Sequence, residues 1–325
     1  MCTGMTYQDD AGRWYLARTM DFDVALDAAP VIVPRHHRFT AAAAPEGFAG
    51  PHGFVGAGRL IDGLVMLDGV NSAGLAATAQ YLTESKATVS PVPGKRNLAA
   101  YEVIAYLLGH CASAAEVKAS LAGLNVVRVT NALLGHPVPL HWLVADRTGA
   151  CGVIEQTEAG LTYYDNPVGV MTNSPQFPWH LQNLGNYPHL TNRVAPSREY
   201  GTLTASGAGA AGTGAVGLPG DYTSVSRFVR AAFVRQHLAP ATDAIVALGH
   251  ALAPFDQAAD VKLMADGRPE VTQYRAYLDL AASTYYFQAY AATRLTRVRL
   301  TESALAAGAP TFVAVDEHPV VVAVN

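Results

Sequence analysis

The chain has 325 residues and a mass of 34.2 kDa; half of its residues are apolar and 15% are charged, which suits a large buried core. A formal net charge of −4, with no long run of either sign, gives no reason to expect nucleic acid or a membrane surface as a partner. The length favours two domains, but a large layered sheet fold accommodates it as one, and no apolar run approaches the roughly 20 residues needed to span a bilayer.

The chain opens on Met1-Cys2-Thr3-Gly4. Removal of Met1 would leave a single residue carrying both a thiol and a free α-amine, a nucleophile with its own base attached. Cys2 can also be read as a small buried apolar residue or an incidental surface thiol. A lipoprotein cysteine would need an apolar leader, and only Met1 precedes it. Residues 3–8 read as a strand, Asp9-Asp10-Ala11-Gly12 as a turn, and Arg13 to Met20 as the returning strand. Such a hairpin brings Arg18 and Asp21 back beside Cys2. The cation would favour a thiolate and the carboxylate could hold the α-amine; an ordinary Arg–Asp surface pair is the simpler alternative.

Val31-Ile32-Val33 is the next strand, and residues 36–60 read as loop, with His36, His37 and His52 as solvated histidines rather than metal ligands. Leu64 to Leu67 forms a buried strand, 68–74 a hairpin connection, and Leu75 to Tyr81 its partner. After a polar loop at 83–96, a helix is expected from Leu98 to Gly109, and a second opens on the capping box Ser113-Ala114-Ala115-Glu116. Cys111 lies between them. With Cys2 and Cys151 it makes an odd, widely spaced set that forms neither a disulfide framework nor a CxxC metal site and fits a reducing compartment. A cytoplasmic protein without metal or cofactor is therefore expected.

Residues 140–172 read as a β-meander that breaks off at Asn173-Ser174-Pro175. Asn173 could offer its amide to an oxyanion, or simply form the turn before Ser-Pro. The Gly/Ala-rich stretch 201–220 lacks the residues that complete a phosphate-binding loop and reads as a flexible or interface loop. Helices follow at about 225–238 and 243–252, then strands at 271–280, 284–290 and 295–300. This alternation suggests two stacked sheets with helices on both outer faces.

Taken together, several separated motifs resemble the choloylglycine hydrolase family of N-terminal nucleophile hydrolases, which includes penicillin V acylases and conjugated bile salt hydrolases. The anchors are Met1-Cys2-Thr3-Gly4, Ala17-Arg18-Thr19-Met20-Asp21, Asp68-Gly69-Val70-Asn71, Leu140-His141-Trp142, Thr172-Asn173-Ser174-Pro175, and Gly217 to Thr223 followed by Ser226-Arg227-Phe228. The resemblance implies an α+β fold, a four-layer αββα sandwich of two stacked antiparallel sheets in one domain, that cleaves linear amides. It implies Cys2 as nucleophile, its freed α-amine as proton carrier, and Arg18 and Asp21 flanking the thiol. It further implies Asn173 and the Tyr81 backbone N–H as oxyanion hole, Arg227 as support, and Met20, Phe22 and Tyr81 against a small-molecule acyl amide substrate. It also implies a homotetramer, with residues 190–215 projecting toward assembly. Tyr81 stands where many bile salt hydrolases have Asn, and the loop before Leu64 looks shorter than theirs. Both lean toward a penicillin V acylase-like enzyme, with bile salt hydrolase, acyl-homoserine lactone acylase and a catalytically silent acyl-ligand binder as alternatives.

Overall fold

The protein was analysed as a computed structural model, which describes residues 1–88, 90–207 and 211–324. Two antiparallel sheets lie face to face. From edge to edge the first runs Val170–Met171, Cys2–Gln8, Trp14–Phe22, Val271–Asp279, Thr284–Ala289, Thr296–Arg299. The second runs Gly160–Asp165, Cys151–Thr157, Leu140–Asp146, Leu75–Tyr81, Asp68–Asn71, Phe54–Ile61, Ala29–Val33, Thr311–Phe312, with Gly63–Met66 paired to Phe54–Ile61.

Side chains alternate across a strand, and here the alternation sorts the second sheet between two cores. Val55, Ala57, Ala76, Leu143 and Ala145 face the first sheet in a core shared with Met5, Leu16, Tyr274 and Tyr285. Their chain neighbours Phe54, Leu75, Ala77, Trp142 and Val144 face the other way, against the helices Val103–His110 and Ala114–Ser120. The outer face of the first sheet is covered by Ser224–His237 and Ala244–Leu252 through Phe228, Ala231, Leu248 and Leu252. The result is the expected four-layer αββα sandwich.

The returning hairpin forms as its turn residues dictate. Asp9 Oδ1 accepts from the amides of Ala11 and Arg13, and Gly12 takes the φ of 78° that closes the turn. Several expectations need correction. Phe54–Ile61, most of it inside the 36–60 stretch expected to be loop, is a strand within the second sheet; its glycines are demanded by packing, since a Cβ on Gly56 would lie 1.9 Å from the Asp68 carbonyl oxygen. Asp68–Asn71, read as a connection, is itself a strand. The helix expected from Leu98 starts only at Val103, because Arg96–Ala99 pairs in parallel with Leu124–Val127. Most consequential, Val170–Met171 does not extend the meander. It crosses to the first sheet and pairs with Cys2–Gln8, Gly4 opposite Met171, which delivers Asn173 to the start of the chain. An exposed hairpin, Arg198–Tyr200 with Leu203–Ala205, occupies the segment expected to project; residues 208–210 of that segment lie outside the described residues.

Candidate active site

Hairpin register decides which residues meet the Cys2 sulfur. Cys2 pairs with Met20 and Gly4 with Arg18, so Cys2, Arg18 and Met20 share one face. The Arg18 guanidinium lies there fully buried and donates from Nη2 to Cys2 Sγ at 2.8 Å. Burial opposes its charge, but the fields of Cys2, Tyr274 and Asp68 outweigh this and hold its pKa above the ordinary value. Asp21 is three residues on and therefore faces the other way. Its carboxylate accepts from Thr272 Oγ1 at 2.6 Å, Thr19 Oγ1 at 3.0 Å and Gln257 Nε2 at 3.3 Å. The expected flanking of the thiol by both groups is thus half met: Arg18 reaches the sulfur, whereas the Asp21 carboxylate lies behind the strand. Burial raises the Asp21 pKa against the pull of the N-terminal amine and Arg227.

Met1 is present, so the Cys2 nitrogen here is an amide standing where the α-amine of a processed chain would be. It donates to Asn173 Oδ1 at 2.8 Å. The Met1 amine is held by the main-chain carbonyl of Asp21 and by Glu270 Oε1, the latter at 2.6 Å. Glu270 is buried, yet this amine and Lys262 hold its pKa below the ordinary range.

Asn173 has its amide oriented by three partners. Oδ1 accepts from Cys2 N and from Arg227 Nη2, both at 2.8 Å, which turns Nδ2 toward the Tyr81 carbonyl at 2.9 Å. Arg227 is fully buried; it also donates from Nη1 to the Cys2 carbonyl at 2.6 Å and to Thr3 Oγ1 at 2.7 Å. It projects from the first turn of Ser224–His237, whose cap Thr223 accepts from Ser226 N. Burial lowers its pKa below the ordinary value.

The Tyr81 N–H can be placed by parity. In an antiparallel ladder, residues bond alternately to one side and the other. Leu82 N donates to Pro139 O, and Ala79 N donates away from that strand to Leu67 O. Tyr81 shares the parity of Ala79, so its N–H points from the Leu140–Asp146 strand toward the edge where its carbonyl meets Asn173 Nδ2. The Tyr81 N–H and Asn173 Nδ2, the latter engaged by the Tyr81 carbonyl, thus lie on the same edge of the strand.

Beyond the sulfur lies an apolar pocket lined by Met20, Phe22, Leu26, Ile61, Val65, Met66, Tyr81, Leu133, Leu134 and Leu140. The Phe22 and Tyr81 rings pack with centroids 6.4 Å apart. The adjoining mouth adds the charged and polar groups Asp23, His136, Arg268 and Glu270. Arg18, Met20, Asn173 and Arg227 contact Cys2 directly, Phe22 and Tyr81 line the adjoining pocket, and the Asp21 carboxylate is turned to Thr272, Thr19 and Gln257. Among the described residues no group of three or more His, Cys, Asp or Glu is placed to hold a metal, and no helix is long and apolar enough to cross a membrane. Burial pushes the Cys111 and Cys151 thiols up to about 11 and about 12.

The sequence reading missed the clamp beneath Asn173. His141 Nε2 meets the Thr172 carbonyl and its Nδ1 meets Glu155 Oε1, both at 3.1 Å. His180 Nε2 meets the Asn173 carbonyl at 2.8 Å, and Ser224 Oγ accepts from Asn173 N at 2.9 Å. Only His141 stood in a motif, and nothing in local patterning announces the others.

The sequence profile of the linear amide C–N hydrolases of the choloylglycine hydrolase family matches residues 2–317. A bile salt hydrolase/transferase from Clostridium perfringens is 30% identical over 318 residues, covering 94% of each chain. A crystal structure of a conjugated bile acid hydrolase variant from the same organism superposes with a TM-score of 0.92 at 27% identity, covering 100% of each chain. A penicillin V acylase from Pectobacterium atrosepticum is 29% identical over 177 residues, 53% of this chain and 41% of that one. With the profile spanning nearly its whole length, the chain belongs to the choloylglycine hydrolase family and is a linear amide C–N hydrolase.

Proposed function

We propose that Cys2, freed of Met1, attacks the carbonyl of an amide whose acyl part is bulky and apolar. The observation that carries this reading is the placement of one sulfur between the Arg18 guanidinium, 2.8 Å away, and an apolar pocket lined by Tyr81, whose carbonyl accepts from Asn173 Nδ2. In this mechanism Arg18 stabilises the charge gathering on sulfur. The tetrahedral oxyanion is received by Asn173 Nδ2 and the Tyr81 N–H, with Nδ2 exchanging its Tyr81 carbonyl contact for the new acceptor. The Cys2 α-amine, held by Asn173 Oδ1, protonates the leaving nitrogen; the C–N bond breaks to a thioester and an amine. Water then attacks the thioester, gives its proton to the α-amine, and releases the acid and the thiolate. Arg227 fixes the Cys2 carbonyl and the Asn173 oxygen. Asp21 stands behind the strand, within the field of the terminal amine.

Two substrate readings each have a specific support. The tilted Phe22–Tyr81 ring pair suits an aryl acyl group such as that of penicillin V. Similarity along the whole chain to bile salt hydrolases supports glycine- or taurine-conjugated bile salts at least as well. Parallel kcat/KM measurements on penicillin V, glycocholate and taurocholate decide between them. Activity on none of these would reject both readings.

A further inference from the structure

Asp68 is fully buried on a strand of the second sheet, yet three of its four hydrogen bonds go to the first. Oδ1 accepts from Tyr285 Oη at 2.7 Å and from Ala57 N at 3.1 Å; Oδ2 accepts from Tyr274 Oη at 2.7 Å and from Arg18 Nη1 at 3.4 Å. Arg18 in turn commits all five of its N–H groups. Nε donates to the Thr19 carbonyl and Nη1 to the Leu67 carbonyl and Asp68, while Nη2 donates to Cys2 Sγ and Met20 Sδ. Burial, and then the Asp68 charge, raises the pKa of both phenols well above the ordinary value, so they remain donors.

One cation therefore sits between a sulfur and a carboxylate. Charge that the carboxylate neutralises on the guanidinium does not reach the sulfur, and charge that the phenols draw from the carboxylate is restored to it. The 3.4 Å contact to Arg18, against 2.7 Å to each phenol, shows which partners hold the carboxylate more closely.

We propose that Asp68 is a positioning residue acting on Cys2 through Arg18: it anchors the guanidinium and, shared with Tyr274 and Tyr285, sets how much positive charge reaches the sulfur. This rests on the reading of Cys2 as the reacting atom. The other charged groups around Cys2 are Asp21, Arg227, Glu270 and the terminal amine, and they are common to every variant below.

The test is the pH dependence of Cys2 alkylation by iodoacetamide, mapped by mass spectrometry on the full chain, which needs no substrate. In Asp68→Asn the sulfur feels more of the Arg18 charge, and the midpoint falls by about one pH unit. The limiting rate at high pH drops roughly threefold, since a more stabilised thiolate is a weaker nucleophile. In Tyr274→Phe the carboxylate turns more fully to Arg18 and the midpoint rises. In Arg18→Leu, adding Asp68→Asn moves nothing further. Shifts of the same sign in Asp68→Asn and Tyr274→Phe, no shift in either, or an Asp68→Asn shift that survives without Arg18 overturns the proposal. Should Asp68→Asn fail to fold, Tyr274→Phe with and without Arg18 carries the same test of sign and dependence. A wild type that cleaves no amide but shows opposite-sign shifts rejects the hydrolase mechanism and leaves this inference standing; a cleaving wild type without the shifts does the reverse.

Discussion

Acidification tests how the Asn173 segment is held. His180 is 1% exposed and meets the Asn173 carbonyl through Nε2 at 2.8 Å, while its Nδ1 has no partner among the described residues. Burial, against the opposing pull of the Asn173 carbonyl, brings its pKa from 6.5 down to about 4. As pH falls, the unfolded chain takes up a proton near 6.5 while the native state refuses it until about 4. The stability tied to this group is therefore complete above 6.5 and is lost progressively as pH falls through that window. At 1.36 kcal/mol per pH unit the loss is about 3 kcal/mol, a large share of the roughly 5–15 kcal/mol that holds a native protein. Other carboxylates and histidines titrate in the same range, so the assay compares urea unfolding of wild type and His180→Gln at steps from about pH 7 to about pH 4. The Gln amide can still donate to the Asn173 carbonyl but does not titrate. Wild type is expected to lose about 3 kcal/mol more than the variant across the window. A difference between the two that is independent of pH would refute the reasoning.

Three further outcomes follow from the same geometry. Asn173→Ala is expected to lower kcat on whichever amide is cleaved by about 100- to 1000-fold, because one oxyanion donor goes and Arg227 Nη2 loses its Asn173 acceptor; a loss under about tenfold would remove Asn173 from the oxyanion site. Gly56→Ala places a methyl 1.9 Å from the Asp68 carbonyl oxygen, so thermal unfolding should show a loss of about 1–3 kcal/mol; an unchanged Tm would mean that the two strands part freely. Tyr81→Asn keeps the main-chain N–H but removes the ring, so KM for penicillin V should rise several-fold while kcat for conjugated bile salts changes little. Equal loss on both substrates would show that the ring does not discriminate between them.

How much of this was legible in the sequence depended on whether the signal was local. The hairpin from Cys2 to Phe22 and the strands from Leu140 to Asp165 could be read because alternation and turn residues lie within a few positions of each other. Residues 54–60 fall in a stretch, 36–60, whose Ala, Gly and Pro content reads as loop; only the neighbouring strands, absent from any local window, require Gly56 and Gly58. The crossing of Val170–Met171 to the first sheet has no local signature at all. Within the site, Cys2, Arg18 and Asp21 were joined by hairpin logic, but that logic brought Asp21 to the sulfur when period-2 parity sends it behind the strand. Arg227 and Tyr81 were reached only through resemblance, which also decided between oxyanion donor and turn residue for Asn173. Asp68 and Tyr285 are 217 residues apart, and Asp21 and Thr272 are 251 apart. Such partners are found by folding the chain, and no spacing along it points to them.

The central claim is that the thiol and the α-amine of one residue act together, which requires that Met1 be gone. N-terminal sequencing with intact mass of the purified protein, sorted by activity on its best amide substrate, tests this most directly. Every chain that turns over is expected to begin at Cys2; chains that keep Met1 and cleave at the full rate would contradict the account.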